Sequence, residues 1–157
     1  MNIKLIVVGK TNQSYVEEGV KEYFSRLKHY ISFEIIVVAD VKGEKNLSSS
    51  TLKDKEAENI IKYLNNQDSV VLLDEHGQEF RSKEFAQYLQ KKMNQGTKTL
   101  VFVVGGAFGF SDKMYSLTSE KISISKMTFS HQMIRLLFTE QLYRAFTILH
   151  NEPYHNE

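Results

Sequence analysis

Leu100-Val-Phe-Val-Val-Gly-Gly-Ala-Phe-Gly109 is the stretch that organises the rest of the chain. Its first five residues are all apolar, with two of the last three β-branched, which fits a strand buried on both faces, as in a parallel sheet. The run stops at Gly105-Gly106, where glycine opens backbone angles closed to other residues and lets a ligand approach the main chain. Ser111-Asp112 then offers capping oxygens for a following helix. Strand, glycine turn and helix start together describe a small-molecule site at the carboxyl end of a sheet. The plainer alternative is a tight strand-to-helix turn with no ligand.

Outward from this strand the chain alternates. Ile3 to Val8 and Phe33 to Val38 read as buried strands, separated by an amphipathic helix over Tyr15 to Tyr30 with Val16, Val20, Tyr23, Phe24 and Leu27 on one stripe. Asp40 to Ser50 is a polar surface loop. Thr51-Leu-Lys-Asp54 is a loose capping box that opens a helix to Leu64. Ser69 to Leu73 is the third strand, and Ser82 caps a helix that reaches Gln95 and ends at Gly96. After Leu100 to Gly109 come a short helix, Asp112 to Thr118, and a short alternating run, Lys121 to Ser125. The order βαβαβαβαβ predicts an α/β fold, a mostly parallel sheet with flanking helices in one domain over residues 1–157.

Composition narrows the function classes. Cysteine is absent, so disulfides and thiolate metal sites are excluded and a reducing compartment is the simplest setting. The run Leu5 to Val8 is too short for a signal segment or a membrane span, so the protein is expected in the cytoplasm with no membrane partner. A net charge of +1 gives no global field toward nucleic acid, so an RNA partner must be recognised by a local patch and by shape.

The last helix, Ser130 to His150, spreads apolar residues nearly all the way round, which calls for burial on more than one side. A second copy across a two-fold axis is the simplest cover, with burial inside one chain as the alternative.

The chemistry-bearing motifs are few. Gly105-Gly106-Ala-Phe-Gly109 has neither the Lys-Ser/Thr of a P-loop nor the spacing of a dinucleotide fingerprint, so phosphate-driven binding is disfavoured. No histidine pair among His29, His76, His131, His150 and His155 has helical zinc spacing, so no metal is expected. His76-Gly77 reads as a turn after the third strand. His131 is either a catalytic candidate or a capping or surface residue. Glu140 and Arg144 are either an intrahelical ion pair or the polar groups that face a site or a partner. The tail Pro153 to Glu157 reads by default as a frayed terminus.

Taken together, Gly105-Gly106-x-x-Gly109, Ile124-Ser-Lys-Met-Thr-Phe129, His131, Glu140-x-x-Tyr143-Arg144-Ala145 and Pro153-Tyr154-His155 resemble the RlmH family, along with Val8-Gly-Lys10 and the overall length. These are small SPOUT-class methyltransferases that act on a pseudouridine of 23S ribosomal RNA. The resemblance implies a trefoil knot near the C-terminus, a homodimer, S-adenosylmethionine as methyl donor and N3 of the pseudouridine as acceptor. It implies a cofactor pocket of Leu73, Gly105, Ile124, Ser125, Lys126, Met127, Thr128 and Phe129. Under the same resemblance, His131 or Glu140 would accept a proton, Arg144 would hold a phosphate or the uracil carbonyls, and Tyr154 and His155 would grip the base. Two departures stand out: Ser130 replaces a common proline, which predicts a looser start to the last helix, and Ala107-Phe108 puts an apolar pair in the glycine loop, which changes how the RNA base is approached. The rival readings are a non-catalytic ribosome-binding or assembly protein and a small-ligand binder that uses the same loop.

Overall fold

Alternation along the central strands dictates the layers. In the computed structural model, which describes residues 1–156, Leu100, Phe102 and Val104 join the core on one face of the sheet while Val101 and Val103 join that on the other. Ile3, Leu5 and Val7 are likewise split from Ile6 and Val8, and every one of these residues is buried. A strand apolar on both sides needs helices on both sides.

The strands are β1 (Asn2–Val8), β2 (Ser32–Val38), β3 (Ser69–Glu79), β4 (Thr99–Val104) and β5 (Lys121–Ser123). They form one five-stranded sheet in the order β2-β1-β4-β3-β5, with every pairing parallel. The helices are α1 (Ser14–Leu27), α2 (Ser49–Ile61), α3 (Ser82–Asn94), α4 (Asp112–Leu117) and α5 (His131–Leu149). Leu27 of α1, Phe85 and Leu89 of α3, and Phe138, Leu142 and Phe146 of α5 cover one face; Ala57 and Ile60 of α2 with Met114 of α4 cover the other. The predicted α/β class and the order of strands and helices along the chain hold.

Four local expectations are corrected. Ser48, not Thr51, starts α2, because its hydroxyl accepts the Thr51 N–H at 3.1 Å. Ser82 is the first residue of α3, and the Arg81 N–H is taken instead by the Glu84 carboxylate at 2.7 Å. His76-Gly77 is not a turn beyond the third strand but lies within β3. That strand detours at Asp74 to Gly77, so that Ile122 of β5 pairs with Leu73 and again with Gln78. Gly77 is required by the detour, since a Cβ there would lie 2.6 Å from the Ile122 backbone nitrogen. Nor is the start of α5 loose: the Ser130 hydroxyl accepts the Met133 N–H at 3.2 Å and its carbonyl accepts the Ile134 N–H at 3.1 Å. Serine is itself a strong cap and supplies an acceptor that proline lacks.

Much of the apolar surface of α5 is covered within the chain. Phe138 packs at 4.6 Å, ring to ring, on Phe102 of the sheet, and Tyr143 lies 5.8 Å from Tyr23 of α1. Leu136 reaches the α1 backbone at Gly19, where a Cβ would stand 2.7 Å from it. Half-exposed Met133 and Leu137 remain on the outside, while Ile134 packs on the core and lines a cleft at the carboxyl end of the sheet. Among the described residues no helix is long and apolar enough to cross a membrane.

Candidate active site

The parallel register brings Leu73 of β3 beside Val104 of β4 and Ile122 of β5 beside Leu73, so three strands end at one place. The loops leaving them enclose a cleft of about 760 Å³, within the range of small-molecule sites. Its walls include Leu73, Gly105, Ile124, Ser125, Met127, Thr128, Phe129 and His131, so most of the expected cofactor residues are gathered with one expected catalytic residue. Lys126 is the exception. It is largely exposed, 3.7 Å from Glu79, and does not line the cleft.

Backbone geometry shapes two of the walls. Val104 delivers the chain into a turn closed by the Gly109 N–H on the Gly106 carbonyl at 3.1 Å, with Gly109 at φ +78°, a left-handed angle that favours glycine. A Cβ on Gly105 would meet the Gly109 carbonyl group at 3.2 Å, so any other residue would push the turn open by a few tenths of an ångström. Phe108 stands at the tip, on the cleft and more than half exposed. In the opposite wall Ser123 donates to the Ser125 carbonyl at 2.8 Å, and the Ser125 hydroxyl accepts the Met127 N–H at 2.9 Å. These bonds hold the 124–129 loop in place and leave Met127 exposed at the rim.

The β3 detour adds acidic residues that the sequence reading missed. Asp74 accepts the Tyr115 hydroxyl at 2.5 Å and the His76 N–H at 2.8 Å. Burial pushes the Asp74 carboxyl up, but the Tyr115 and His76 bonds outweigh it and hold it below the ordinary carboxylate range. Glu75 accepts the Thr128 hydroxyl at 2.6 Å and ties the detour to the 124–129 loop. Asp74, Glu75 and Asp112 all line the cleft and give it a negative side. The carboxylates directly after the third strand could have been found by applying the carboxyl-end rule to Asp74-Glu75 as well as to Gly105.

His131 occupies the first turn of α5. Ser130 takes the capping role, so the histidine ring is free of it, and its Nε2 stands 3.3 Å from the Gln132 amide nitrogen. Gln132 is itself fixed, accepting from the Asn12 N–H at 3.0 Å and donating to the Lys10 carbonyl at 3.1 Å. Burial first, and then the Arg135 cation, hold the His131 imidazole below its ordinary value, with Asp40 opposing. At neutral pH the ring is therefore uncharged and able to accept a proton. Arg135 is 2% exposed and is satisfied by the carbonyls of Val8 (2.5 Å) and Gly9 (2.9 Å) and the Thr11 hydroxyl (3.1 Å). A buried charge held by carbonyl dipoles carries no sequence signature.

Glu140, Arg144, Tyr154 and His155 lie together, but not on this cleft. Arg144 sits nine residues past Arg135, and thirteen residues of helix put it about 20 Å from His131 along the axis. Arg144 Nη2 and Nε donate to Glu140 Oε1 at 2.5 and 3.0 Å, and the Tyr154 hydroxyl donates to the same oxygen at 3.1 Å. The guanidinium lies 4.7 Å from the Tyr154 ring centre, that ring meets Tyr143 edge-on at 4.8 Å, and His155 Nδ1 is 3.4 Å from Arg144 Nη1. Tyr154 and His155 of the tail are thus docked, not frayed, with an aromatic and a paired charge offsetting the cost of ordering them; Glu157 lies outside the described residues. Among the described residues no group of three or more histidine, cysteine or acidic side chains is arranged to hold a metal.

Residues 1–155 match the family model described as "Predicted SPOUT methyltransferase". The chain is 59% identical over 157 residues to the ribosomal RNA large subunit methyltransferase H of Parabacteroides distasonis, covering all of both chains. It is 55% identical over 156 residues to the protein of the same name from Christiangramia forsetii, covering 99% of each, and 54% identical over 157 residues, all of both, to that from Flavobacterium psychrophilum. A cleft at the carboxyl end of a parallel sheet, a glycine turn on one side of it and full-length similarity to these relatives agree: the chain belongs to the SPOUT methyltransferase family, in the group of ribosomal RNA large subunit methyltransferase H.

Proposed function

We propose that this protein transfers a methyl group from S-adenosylmethionine to N3 of a pseudouridine in 23S ribosomal RNA, working in the cytoplasm as a trefoil-knotted homodimer on RNA in the ribosome. The observation that carries the donor assignment is the cleft itself, which pairs a glycine turn with a negative side at Asp74, Glu75 and Asp112. A cationic, adenosine-bearing ligand suits both. Leu73, Ile124 and Phe129 offer apolar walls to its base, the turn at Gly105 offers main-chain groups, and the carboxylates offer charge to its amino acid end.

Bound there, the donor supplies an electrophilic methyl group. The chain's own residues then have two tasks. They must hold the acceptor nitrogen in line, which is worth on the order of 7–11 kcal/mol in favourable cases. They must also take the N3 proton as the nitrogen–carbon bond forms. His131, neutral and on the cleft, is the candidate for that proton, directly or through one water.

Arg144, Tyr154 and His155 suit the gripping of a base or phosphate, but they stand at the far end of α5 from their own chain's cleft. Their use in the reaction therefore calls for a second copy, whose tail cluster would meet this chain's cleft. Met133 and Leu137, half-exposed on the outside of α5, are the surface such a partner would cover.

Calorimetric titration with S-adenosylmethionine, paired with transfer of a labelled methyl group to large ribosomal subunits, tests the whole reading. Wild type binds and transfers. Gly105→Val, whose side chain must push into the Gly109 carbonyl, loses donor binding by at least a hundredfold. Wild-type binding unchanged in Gly105→Val would show the donor to sit elsewhere. Binding without transfer to any ribosomal RNA would favour the assembly-protein alternative.

A further inference from the structure

Against the glycine turn, but not among the residues that line the cleft, lies a carboxyl group that the methyl-transfer reading does not use. Glu56 of α2 is only 7% exposed. Its carboxylate accepts the Gly106 N–H and occupies the space a side chain on residue 106 would need, with Oε2 2.5 Å from where that Cβ would stand. Gly106 is thus glycine not for its backbone angle but to admit this carboxylate against the main chain.

The surroundings of Glu56 make its charge costly. Asp40, from the loop after β2, and Glu44, from the single 3-10 turn Glu44–Asn46, both act on it with the same sign. On α4, packed across α2, Lys113 is directed to Glu58 at 3.8 Å. Lys53, a turn earlier on α2, faces the cleft. The β1 and β4 side chains beneath are apolar, and Arg135 of α5 is bound to the carbonyls of Val8 and Gly9 and acts on Asp40. Burial and two like-charged neighbours disfavour the ionised acid, and the Gly106 N–H bond opposes them, a combination that marks a candidate functional position.

We propose that Glu56 is a positioning residue of the donor site, its ionised carboxylate holding the Gly106 N–H so that the 105–109 turn keeps the shape the methyl donor requires. The role rests on the reading of this cleft as the donor site. Burial, then Glu44 and Asp40, push the Glu56 carboxyl up to about 7, with the Gly106 bond opposing. The group is therefore divided between its two forms at neutral pH. Protonated, it loses the charge that makes the Gly106 N–H bond strong. A donor that needs the ordered turn selects the ionised form and expels a proton on binding.

The apparent affinity of a ligand scales with the populated fraction of the competent state. With a midpoint near 7, the ionised fraction rises roughly tenfold between pH 6 and pH 8, and so should the affinity for S-adenosylmethionine. Calorimetry of the full-length protein in buffers of different ionisation enthalpy at pH 7 reads the proton released. Wild type should release about half a proton; Glu56→Gln, which keeps the shape and an acceptor oxygen, should release almost none and bind with affinity nearly flat from pH 6 to pH 8. His131→Ala should retain the slope, which separates the two titrating groups.

A wild-type slope preserved in Glu56→Gln overturns the role while leaving the donor assignment standing. Failure of wild type to bind S-adenosylmethionine overturns both. Should Glu56→Gln not fold, the Gly106 amide resonance of the wild type decides: a titration midpoint near neutral supports the role, and a resonance unmoved from pH 6 to pH 8 refutes it.

Discussion

The two ends of α5 are built on opposite plans. At the cleft end the walls are main chain, apolar side chains and the carboxylates of Asp74, Glu75 and Asp112, and His131 faces a space of about 760 Å³ with an uncharged ring. At the tail end the charges of α5 are already answered among the described residues: Glu140 takes Arg144 and Tyr154, and Arg144 covers the Tyr154 ring. The first end is ready for a ligand and the second is satisfied by itself. Within one chain the tail network therefore reads as structure; it becomes functional only by trading these partners for a substrate's, which ties its role to a partner's cleft.

Subunit mixing breaks or confirms that contrast most sharply. A protein without residues 153–157 and a Gly105→Val protein should each be inactive. Exchanged into heterodimers, they should regain up to about half the activity per dimer if cleft and tail come from different chains, since one of two sites is then intact. A mixture as inactive as its parents, with exchange verified by mass, would assign cleft and tail to the same chain.

At the cleft end, His131→Ala should lower turnover by roughly a hundredfold or more while the donor titration stays unchanged, the usual weight of a proton acceptor. Single-turnover kinetics beside calorimetry make the separation. The same residue sets a pH dependence. Because the neutral ring is the active form and its value is held below the ordinary 6.5, turnover with donor at saturation should rise through an acid limb below that value and level off above it. His131→Ala should lack the limb. Smallest is the cap between the two ends: Ser130→Ala should cost about 1 kcal/mol in thermal or denaturant unfolding and little else.

The layers were readable because strands buried on both faces appear as unbroken apolar runs, as at Leu100 to Val104, and the Gly105-Gly106 break showed where the sheet ends in a site. Less was readable wherever long-range contact overrode local pattern. His76-Gly77 looks like a turn in every local respect, and only its register with Ile122, 45 residues on, makes it a strand detour. The tail is as polar as a frayed end and is held because Tyr143 and Arg144 wait for it on another turn of α5. Glu56 and Arg135 are ordinary charged residues of amphipathic helices by their spacing; that both are buried follows from which strand ends they meet. The apolar girth of α5 suggested a partner, yet α1, α3 and the sheet take much of it, so girth alone does not count subunits.

The position of β1 has a consequence for how the protein is made. It is an inner strand whose second neighbour, β4, pairs Ile3 with Leu100, and its exit is later pinned by Arg135 from α5. During synthesis at roughly 5–20 residues per second, β1 waits several seconds after β2 is complete before β4 can emerge and cover its free edge. Through that interval Ile3 to Val8, the most apolar segment at the start of the chain, is a half-paired strand exposed to other chains. Long-range parallel pairing of this kind is slow to form, so the nascent chain is most open to misassociation in its first hundred residues, and slowing translation between β2 and β4 should lower the yield of folded protein.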